Sequence, residues 1–387
     1  MTMDLQRAID ALTALVSFDT TSRNSNLAIV AWLEDYLAGF GIASTRIPDA
    51  TGTKSNLWAT IGPASERGYI LSAHTDVVPV DGQTWTSDPF RLVERDRRLY
   101  GRGAADMKGF LACCLAAVPD MLAQGLRRPL HLAFSYDEEV GCIGVRDIVA
   151  RLGELAMPPL GCFVGEPTEM EVVIGHKSKR SFRVTVRGRT CHSSLAPQGV
   201  NAVEYAALLI ARIRAISDRC RREGAHDPLY DVPFTTGHVG MIEGGIALNV
   251  VPDLCTFVYE FRALGEDDAG LLAAEVEAHA REELEPAMKA VAPEAGFEFV
   301  PRPFQAGLDT DPAAEVVALA KQFAGRNGHS KVAYGTEAGL YQAADVPSVV
   351  IGPGSIGQAH KADEFIAIAE LEKCGLFLDR LIEHCRR

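Results

Sequence analysis

The chain has 387 residues, 47% hydrophobic and 23% charged, with 38 Lys and Arg against 51 Asp and Glu, for a formal net charge of −13. This composition excludes a disordered or fibrous chain. The acidic balance argues against nucleic acid as the main partner, because phosphate neutralisation needs a basic face. No apolar run approaches the ~20 residues of a membrane span, so no membrane partner is expected, and the length predicts about two domains.

In chain order, Leu5, Ile9, Leu12 and Val16 recur at helical spacing with Asp4, Arg7 and Asp10 between them. That pattern predicts an amphipathic helix rather than the apolar stretch of a signal peptide. Leu27 to Phe40 reads as a second helix that stops at Gly39 and Gly41. Short apolar runs bounded by turn residues follow at Leu57–Ile61, Tyr69–Ala73, Leu130–Tyr136, Cys162–Val164 and Ser348–Ile351, and a helix is expected over Met107–Gln124. Strands alternating with helices predict an α/β domain built on a mixed, mostly parallel sheet.

Residues from about 179 to 302 have a different texture. Phe182, Val184 and Val186 alternate with polar residues, and a helix follows over Asn201–Arg222. Strands at Thr236–Ile242 and Leu254–Phe261, a helix over Asp268–Val291 and a strand at Phe297–Val300 complete the set. The β-α-β-β-α-β order is the ferredoxin-like unit. It is expected as a domain of residues 179–302 inserted into a discontinuous one of residues 1–178 and 303–387. The nine cysteines include no C-x-x-C pair, which predicts neither a disulfide framework nor a thiolate metal site and fits a reducing, cytoplasmic compartment.

Ligands of open α/β sheets bind beyond the carboxyl ends of the strands. Here Tyr69–Ala73 runs into His74-Thr75-Asp76, Leu130–Tyr136 into Asp137-Glu138-Glu139, Cys162–Val164 into Gly165-Glu166, and Ser348–Ile351 into a glycine loop reaching His360. The loop Gly101-Arg102-Gly103 leads to Asp106 at the start of a helix. Singly, each side chain has a structural explanation as a cap, a solvated charge or a core histidine. Together, repulsion among the gathered carboxylates calls for cations. Two imidazoles with several carboxylates and no thiolate suit Zn²⁺, with Co²⁺ or Mn²⁺ as substitutes, and the ligand number suits two ions bridged by one carboxylate. Asp76, two residues past His74, is expected to accept the other imidazole N–H. Adjacent Glu138 and Glu139 face differently, which predicts one ligand and one general base. The stretch Gly352-Pro-Gly-Ser-Ile-Gly357 has dinucleotide-fingerprint spacing but lacks the helix and acidic strand that must follow. Its glycines are expected to give the backbone close approach to a substrate.

Ser72-Ala-His-Thr-Asp-Val-Val-Pro-Val-Asp81, Gly101-Arg-Gly-Ala-Ala-Asp-Met-Lys-Gly109, Asp137-Glu-Glu-Val-Gly141 and Gly165-Glu-Pro-Thr168 resemble, in order, the motifs of a dinuclear zinc metallopeptidase and deacylase family. That family holds acetylornithine deacetylases, succinyl-diaminopimelate desuccinylases, aminoacylases and glutamate carboxypeptidases. Asp81-Gly-Gln-Thr-Trp85, Gly335-Thr-Glu-Ala338 and Gly352-Pro-Gly-Ser with His360-Lys361 are most similar to its acetylornithine deacetylase branch. The resemblance implies two divalent ions, zinc or cobalt, with Asp106 bridging them, His74 and Glu166 on one, and Glu139 and His360 on the other. It implies Glu138 as general base and acid, and an inserted domain that serves as lid and homodimer contact. His192, in Thr190-Cys-His-Ser-Ser194, is similar to a histidine that reaches the partner's site, and Asn249 and Arg262 resemble a substrate-binding pair. As plain structure, His192 would be a turn residue and Arg262 a strand-face ion pair. The implied reaction is hydrolysis of a small N-acyl amino acid, N2-acetyl-L-ornithine to acetate and L-ornithine, by a metal-bridging hydroxide. The alternatives are another N-acyl-amino-acid hydrolase, such as a desuccinylase, or a non-catalytic metal-binding protein. Glu337 is expected either to meet the ornithine ammonium or to be a solvated loop carboxylate or one side of a structural ion pair.

Overall fold

Four of the predicted strands lie side by side in parallel, and their ends are level. The computed structural model describes residues 3–387. In chain order the strands are β1 (Ser44–Pro48), β2 (Ser55–Ile61), β3 (Tyr69–His74), β4 (Val93–Arg95), β5 (Arg98–Tyr100), β6 (Leu130–Ser135), β7 (Gly161–Val164), β8 (Val173–His176), β9 (Ser178–Arg187), β10 (Thr236–Gly244), β11 (Leu254–Ala263), β12 (Gly296–Pro301), β13 (Leu308–Asp309), β14 (Ser330–Val332), β15 (Ser348–Val350) and β16 (Phe365–Ala367). The chain divides into two compact units: one runs through Gly175 and adds Leu308–Lys331 and Thr336–Arg387, and the other is His176–Gly307 with Val332–Gly335.

In the first unit, nine strands form one sheet of order β1-β2-β6-β3-β7-β15-β8-β13, with β14 beside β8. The central β6, β3, β7 and β15 are parallel, whereas β1, β2 and β8 pair antiparallel on the flanks. The sheet is the mixed α/β sheet that the sequence predicts, parallel at its centre. β3, β6 and β7 are buried along their whole length, as parallel strands covered on both faces must be. Register fixes where the chain leaves them: His74 lies opposite Ser135, Ser72 opposite Val164, and Val350 opposite Val164. The segments that follow all four strands therefore emerge on one rim.

Helix Leu5–Val16 forms as its spacing predicts, capped by Asp4, whose carboxylate accepts from the amides of Gln6 and Arg7. The single helix expected over 107–124 is two, Lys108–Ala116 and Val118–Ala123. Pro119 has no amide hydrogen to continue the first ladder, and a proline is tolerated in the first turn of the next. The helix expected over 268–291 is interrupted in the same way. Ala269–His279 passes through a π turn at Ala280–Leu284 into Glu285–Val291, which carries Pro286 in its first turn.

The second unit has a four-stranded antiparallel sheet of order β10-β11-β9-β12, with helices Ala202–Glu223 and Ala269–His279 crossing between strands. This is the ferredoxin-like arrangement. Val184, Val186, Phe257 and Phe261 of the sheet share a core with Leu209, Ile213 and Val276 of the helices. Among the described residues no helix is long and apolar enough to cross a membrane, and the cysteines are all free.

The glycine loop after β15 corrects one expectation. A Cβ on Gly352 would lie 2.1 Å from the carbonyl oxygen of Gly165, so this glycine gives close approach to another loop of the protein rather than to a substrate. Thr168 and Met170 donate their amides to the Gly352 carbonyl, and Glu169 donates to that of Gly354, which locks the two loops together. Gly354 sits at φ +88°, in the left-handed region, whereas a Cβ on Gly357 would meet nothing nearer than Ser355 Oγ at 3.5 Å. Gly352→Ala is expected to destabilise the fold by about 1–3 kcal/mol or more, as overpacking does, while Gly357→Ala stays within about 0.5 kcal/mol. Urea denaturation of both variants checks this; equal effects would refute the assignment of Gly352 to loop-on-loop packing.

Candidate metal centre

β3 delivers His74 at its last position with the ring fully buried, and the segment after β5 brings Asp106 beside it. His74 Nε2 lies 3.1 Å from Asp106 Oδ1, and His360 Nε2 lies 3.4 Å from Asp106 Oδ2. One carboxylate thus reaches two imidazoles, with one oxygen toward each. Glu139 Oε2 is 3.0 Å from His360 Nε2, and Glu166 Oε1 is 3.8 Å from His74 Nε2. Ligand atoms of His74, Asp106 and Glu139 all lie within 4.8 Å of one another, as do those of His74, Glu138 and Glu166. The predicted imidazoles and carboxylates therefore meet at one place, at the ends of β3, β6, β7 and β15.

The electrostatics of the cluster are those of an anion-rich, largely buried site that opens to solvent at His360. Burial raises the carboxyl of Glu138 to about 8, reinforced by repulsion from Glu139 and Glu337 although the His74 charge opposes it. Burial and repulsion from Asp106 likewise raise Glu139 to about 7 and Glu166 well above the carboxylate range. Asp106 moves the other way: burial would raise it, but hydrogen bonds from His360 and His74 hold it well below its usual value. Hydrogen bonds to Asp106 and Glu139 raise His360 to about 10. His74 is raised despite burial, through its hydrogen bond to Asp106 and the charges of Glu166 and Asp76. Without cations the cluster must therefore retain protons that free side chains would release near neutral pH. The donor set fits divalent ions: imidazole nitrogen and carboxylate oxygen, no thiolate, and one carboxylate with an oxygen directed to each histidine.

Two supporting contacts differ from expectation. The partner of His74 Nδ1 at hydrogen-bond distance is the main-chain carbonyl of Asp76, at 2.9 Å, while the Asp76 carboxylate lies at 3.6 Å. That carboxylate instead accepts from the amides of Glu138 (3.0 Å) and Glu139 (3.3 Å) and from Ser22 Oγ (2.7 Å). The turn at Asp137, with φ +54°, aims both amides at Asp76, so this residue holds the main chain of both glutamates. Glu337 is the second correction. It is 1% exposed, and its carboxylate accepts from Ser72 Oγ at 3.1 Å and from Ser135 Oγ. Ser72 and Ser135 project from adjacent β3 and β6, which places Glu337 in the floor of the sheet as a structural carboxylate rather than on an open face that could meet an ammonium. Sequence reasoning also missed Ser22 and Cys142, whose Sγ donates to Glu138 Oε1 at 3.1 Å. The four-residue spacing from Glu138 to Cys142 is the only local sign of that contact.

In the second unit, His192 is exposed at the start of a 3-10 turn beside Asn249, and the Ser193 amide donates to the Asn249 carbonyl at 3.1 Å. The Ser194 amide donates to His192 Nδ1 at 3.2 Å. An amide N–H only donates, so Nδ1 is the accepting nitrogen and Nε2 carries the hydrogen in neutral His192. Arg262 is elsewhere. It lies at the far end of β11 from Asn249, with Nε 2.7 Å from Glu260 Oε1 and Nη1 3.4 Å from the Ala333 carbonyl. A ten-residue strand separates the two ends, roughly 30 Å at about 3.3 Å per residue.

The model of peptidase family M20/M25/M40 matches residues 70–384, a span that includes every candidate ligand from His74 to His360. The acetylornithine deacetylase of Proteus mirabilis is 33% identical over 384 residues, covering 99% of this chain and 96% of that protein. The acetylornithine deacetylase of Myxococcus xanthus is 35% identical over 381 residues, covering 96% of each. Among solved structures, an M20 family metallo-carboxypeptidase from Sulfolobus solfataricus has the same fold, with a TM-score of 0.79 at 19% identity over 98% of this chain and 99% of that one. With the strand-end cluster inside the matched span, the chain belongs to peptidase family M20/M25/M40 and is an amidohydrolase.

Proposed function

We propose that this enzyme cleaves the amide of N2-acetyl-L-ornithine to acetate and L-ornithine, using two divalent metal ions. The observation that carries the two-ion reading is the Asp106 carboxylate, with one oxygen toward His74 and the other toward His360. In this reading His74 and Glu166 would hold one ion, Glu139 and His360 would hold the other, and Asp106 would be shared between them. The substrate reading is supported by full-length relatives that bear the acetylornithine deacetylase name.

Two bound divalent ions, zinc or cobalt, would polarise the acyl carbonyl and acidify a water toward neutral pH. Glu138 would serve as the general base toward the attacking water and as the general acid toward the leaving amine. Its position suits proton transfer, since it is buried, it is within 4.8 Å of His74 and Glu166, and the Cys142 thiol orients one of its oxygens. Asp76 keeps Glu138 and Glu139 in register through their amides. Arg262 takes the α-carboxylate; its guanidinium has five N–H donors, so the pair with Glu260 does not exhaust it. His192, with its hydrogen on Nε2, donates to the developing oxyanion.

A small substrate cannot reach both ends of β11 at once. If His192, Asn249 and Arg262 all serve one site, one end of the strand comes from a second copy of the chain, and the likeness of His192 to a histidine that reaches the partner's site favours the His192 end. The second unit offers a surface for that copy. β10 is an edge strand, and Met241 and Ile242 on it, with Ile246 and Leu248 just after it, are exposed apolar side chains. The reading is a homodimer joined along β10, with each partner supplying His192 and Asn249 to the other.

The decisive experiment is a substrate panel on metal-loaded enzyme. Acetylornithine is expected to exceed succinyl-diaminopimelate in kcat/KM by at least about tenfold; the reverse order would favour a desuccinylase, and no turnover of any acyl amino acid a non-catalytic metal protein. Glu138→Gln is expected to keep both ions and lose about 10²–10⁴ in kcat, whereas Asp106→Ala loses metal as well, as metal analysis beside rate assays will read. Replacing Met241 and Ile242 with Glu should yield monomers in sedimentation velocity with metal content unchanged and turnover reduced. Monomers already present in wild type would remove the shared-site reading.

A further inference from the structure

His74 and His360 reach Asp106 from unlike settings. His74 is buried at the end of a strand, with its Nδ1 against the main chain of Asp76. His360 sits on a loop, its side chain is 53% exposed, and its backbone is at φ +63°, in the left-handed region that disfavours a residue with a Cβ. A residue held there needs neighbours that fix its backbone.

The contact that does so comes from Asp81-Gly-Gln-Thr-Trp85, a stretch that the proposed reaction leaves unused. Gln83 Nε2 donates to the His360 carbonyl at 2.8 Å. On its other side, Gln83 Oε1 accepts from Arg102 Nη2 at 2.6 Å and from Trp85 Nε1 at 3.1 Å. The Arg102 guanidinium, 5.1 Å from the Trp85 ring centroid, is bonded through Nη1 to Glu364 at 2.7 Å. Glu364 in turn accepts from the amides of Gly103 (3.0 Å), Ala105 (2.9 Å) and Asp106 (3.1 Å). One chain of hydrogen bonds therefore runs from the main chain of His360 to the main chain of Asp106, and Arg102 and Glu364 in its middle are both buried.

We infer that Gln83 is a positioning residue for the second metal ion: through Arg102 and Glu364 it sets the His360 loop in register with the Asp106 loop, so that the His360–Glu139 position depends on it and the His74–Glu166 position does not. The inference rests on the two-ion reading above. Outer contacts that orient ligands are worth about 10–100-fold in metal affinity.

The test uses apo protein titrated with Co²⁺, with affinities from calorimetry and coordination from the visible absorption spectrum. Gln83→Glu keeps an acceptor for Arg102 and Trp85 but loses the donor to His360; Gln83→Ala loses both. Thr86→Ala is the control, because it trims the same loop at its contact with Asp363 and leaves Gln83 in place. Both Gln83 variants are expected to bind the first ion like wild type and the second at least tenfold more weakly, with a changed cobalt spectrum. Thr86→Ala should match wild type. Wild-type affinity for both ions in both Gln83 variants would overturn the inference, as would a matching loss in Thr86→Ala or an equal loss at both positions. A wild type that takes up a single ion refutes instead the two-ion reading, and this inference falls with it.

Discussion

The carboxylate of Asp106 is shared between two imidazoles, and much of the first unit serves to keep it there. A buried carboxylate without positive neighbours is costly, by several kcal/mol even after the protein relaxes. This one is surrounded by three more acidic side chains, so the histidines alone cannot neutralise the group. The parallel register of β6, β3, β7 and β15 is what forces the crowding, because it brings four strand ends level and sends each following segment over the same rim. Cations answer the resulting charge, and an amide-cleaving enzyme has a use for them.

The two units present their candidate residues from different kinds of structure. The first presents side chains from strand ends and short loops clamped to one another, as where amides of the 165–170 loop donate to carbonyls of the 352–354 loop. Its precision comes from buried carboxylates that organise backbone amides: Asp76 for the two glutamates, Glu364 for the Asp106 loop. The second unit presents His192 and Asn249 at one end of β11 and Arg262 at the other. That separation, more than any surface property, is the argument for a second copy of the chain.

The legible part of the structure was the part written locally. Helix Leu5–Val16 and the strands through Leu57, Leu71 and Val164 were visible because burial on one face or on both leaves its own period in the apolar residues. The acidic and imidazole residues stood out because each follows directly on such a run. Less legible was anything that depends on two distant segments meeting. Pro119 and Pro286 broke helices whose apolar spacing continues through them. Gly352 read as an approach to substrate because nothing near it in sequence names Gly165 as its neighbour. Glu337 read as a loop charge because the serines that receive it lie more than 200 residues away along the chain.

The sequence by itself determined the fold class, the order of the ferredoxin-like insertion and the residue types that can hold metal, because periodicity and side-chain chemistry are properties of short stretches. Only the tertiary structure decided what each carboxylate does. Asp76 holds amides instead of an imidazole, Glu337 lies beneath the sheet's rim instead of facing a substrate, and Glu364, which no motif singled out, gathers the loop of Asp106. A carboxylate takes its role from which donors lie within about 3 Å of its oxygens, and that depends on how strands and loops far apart in the chain are brought together.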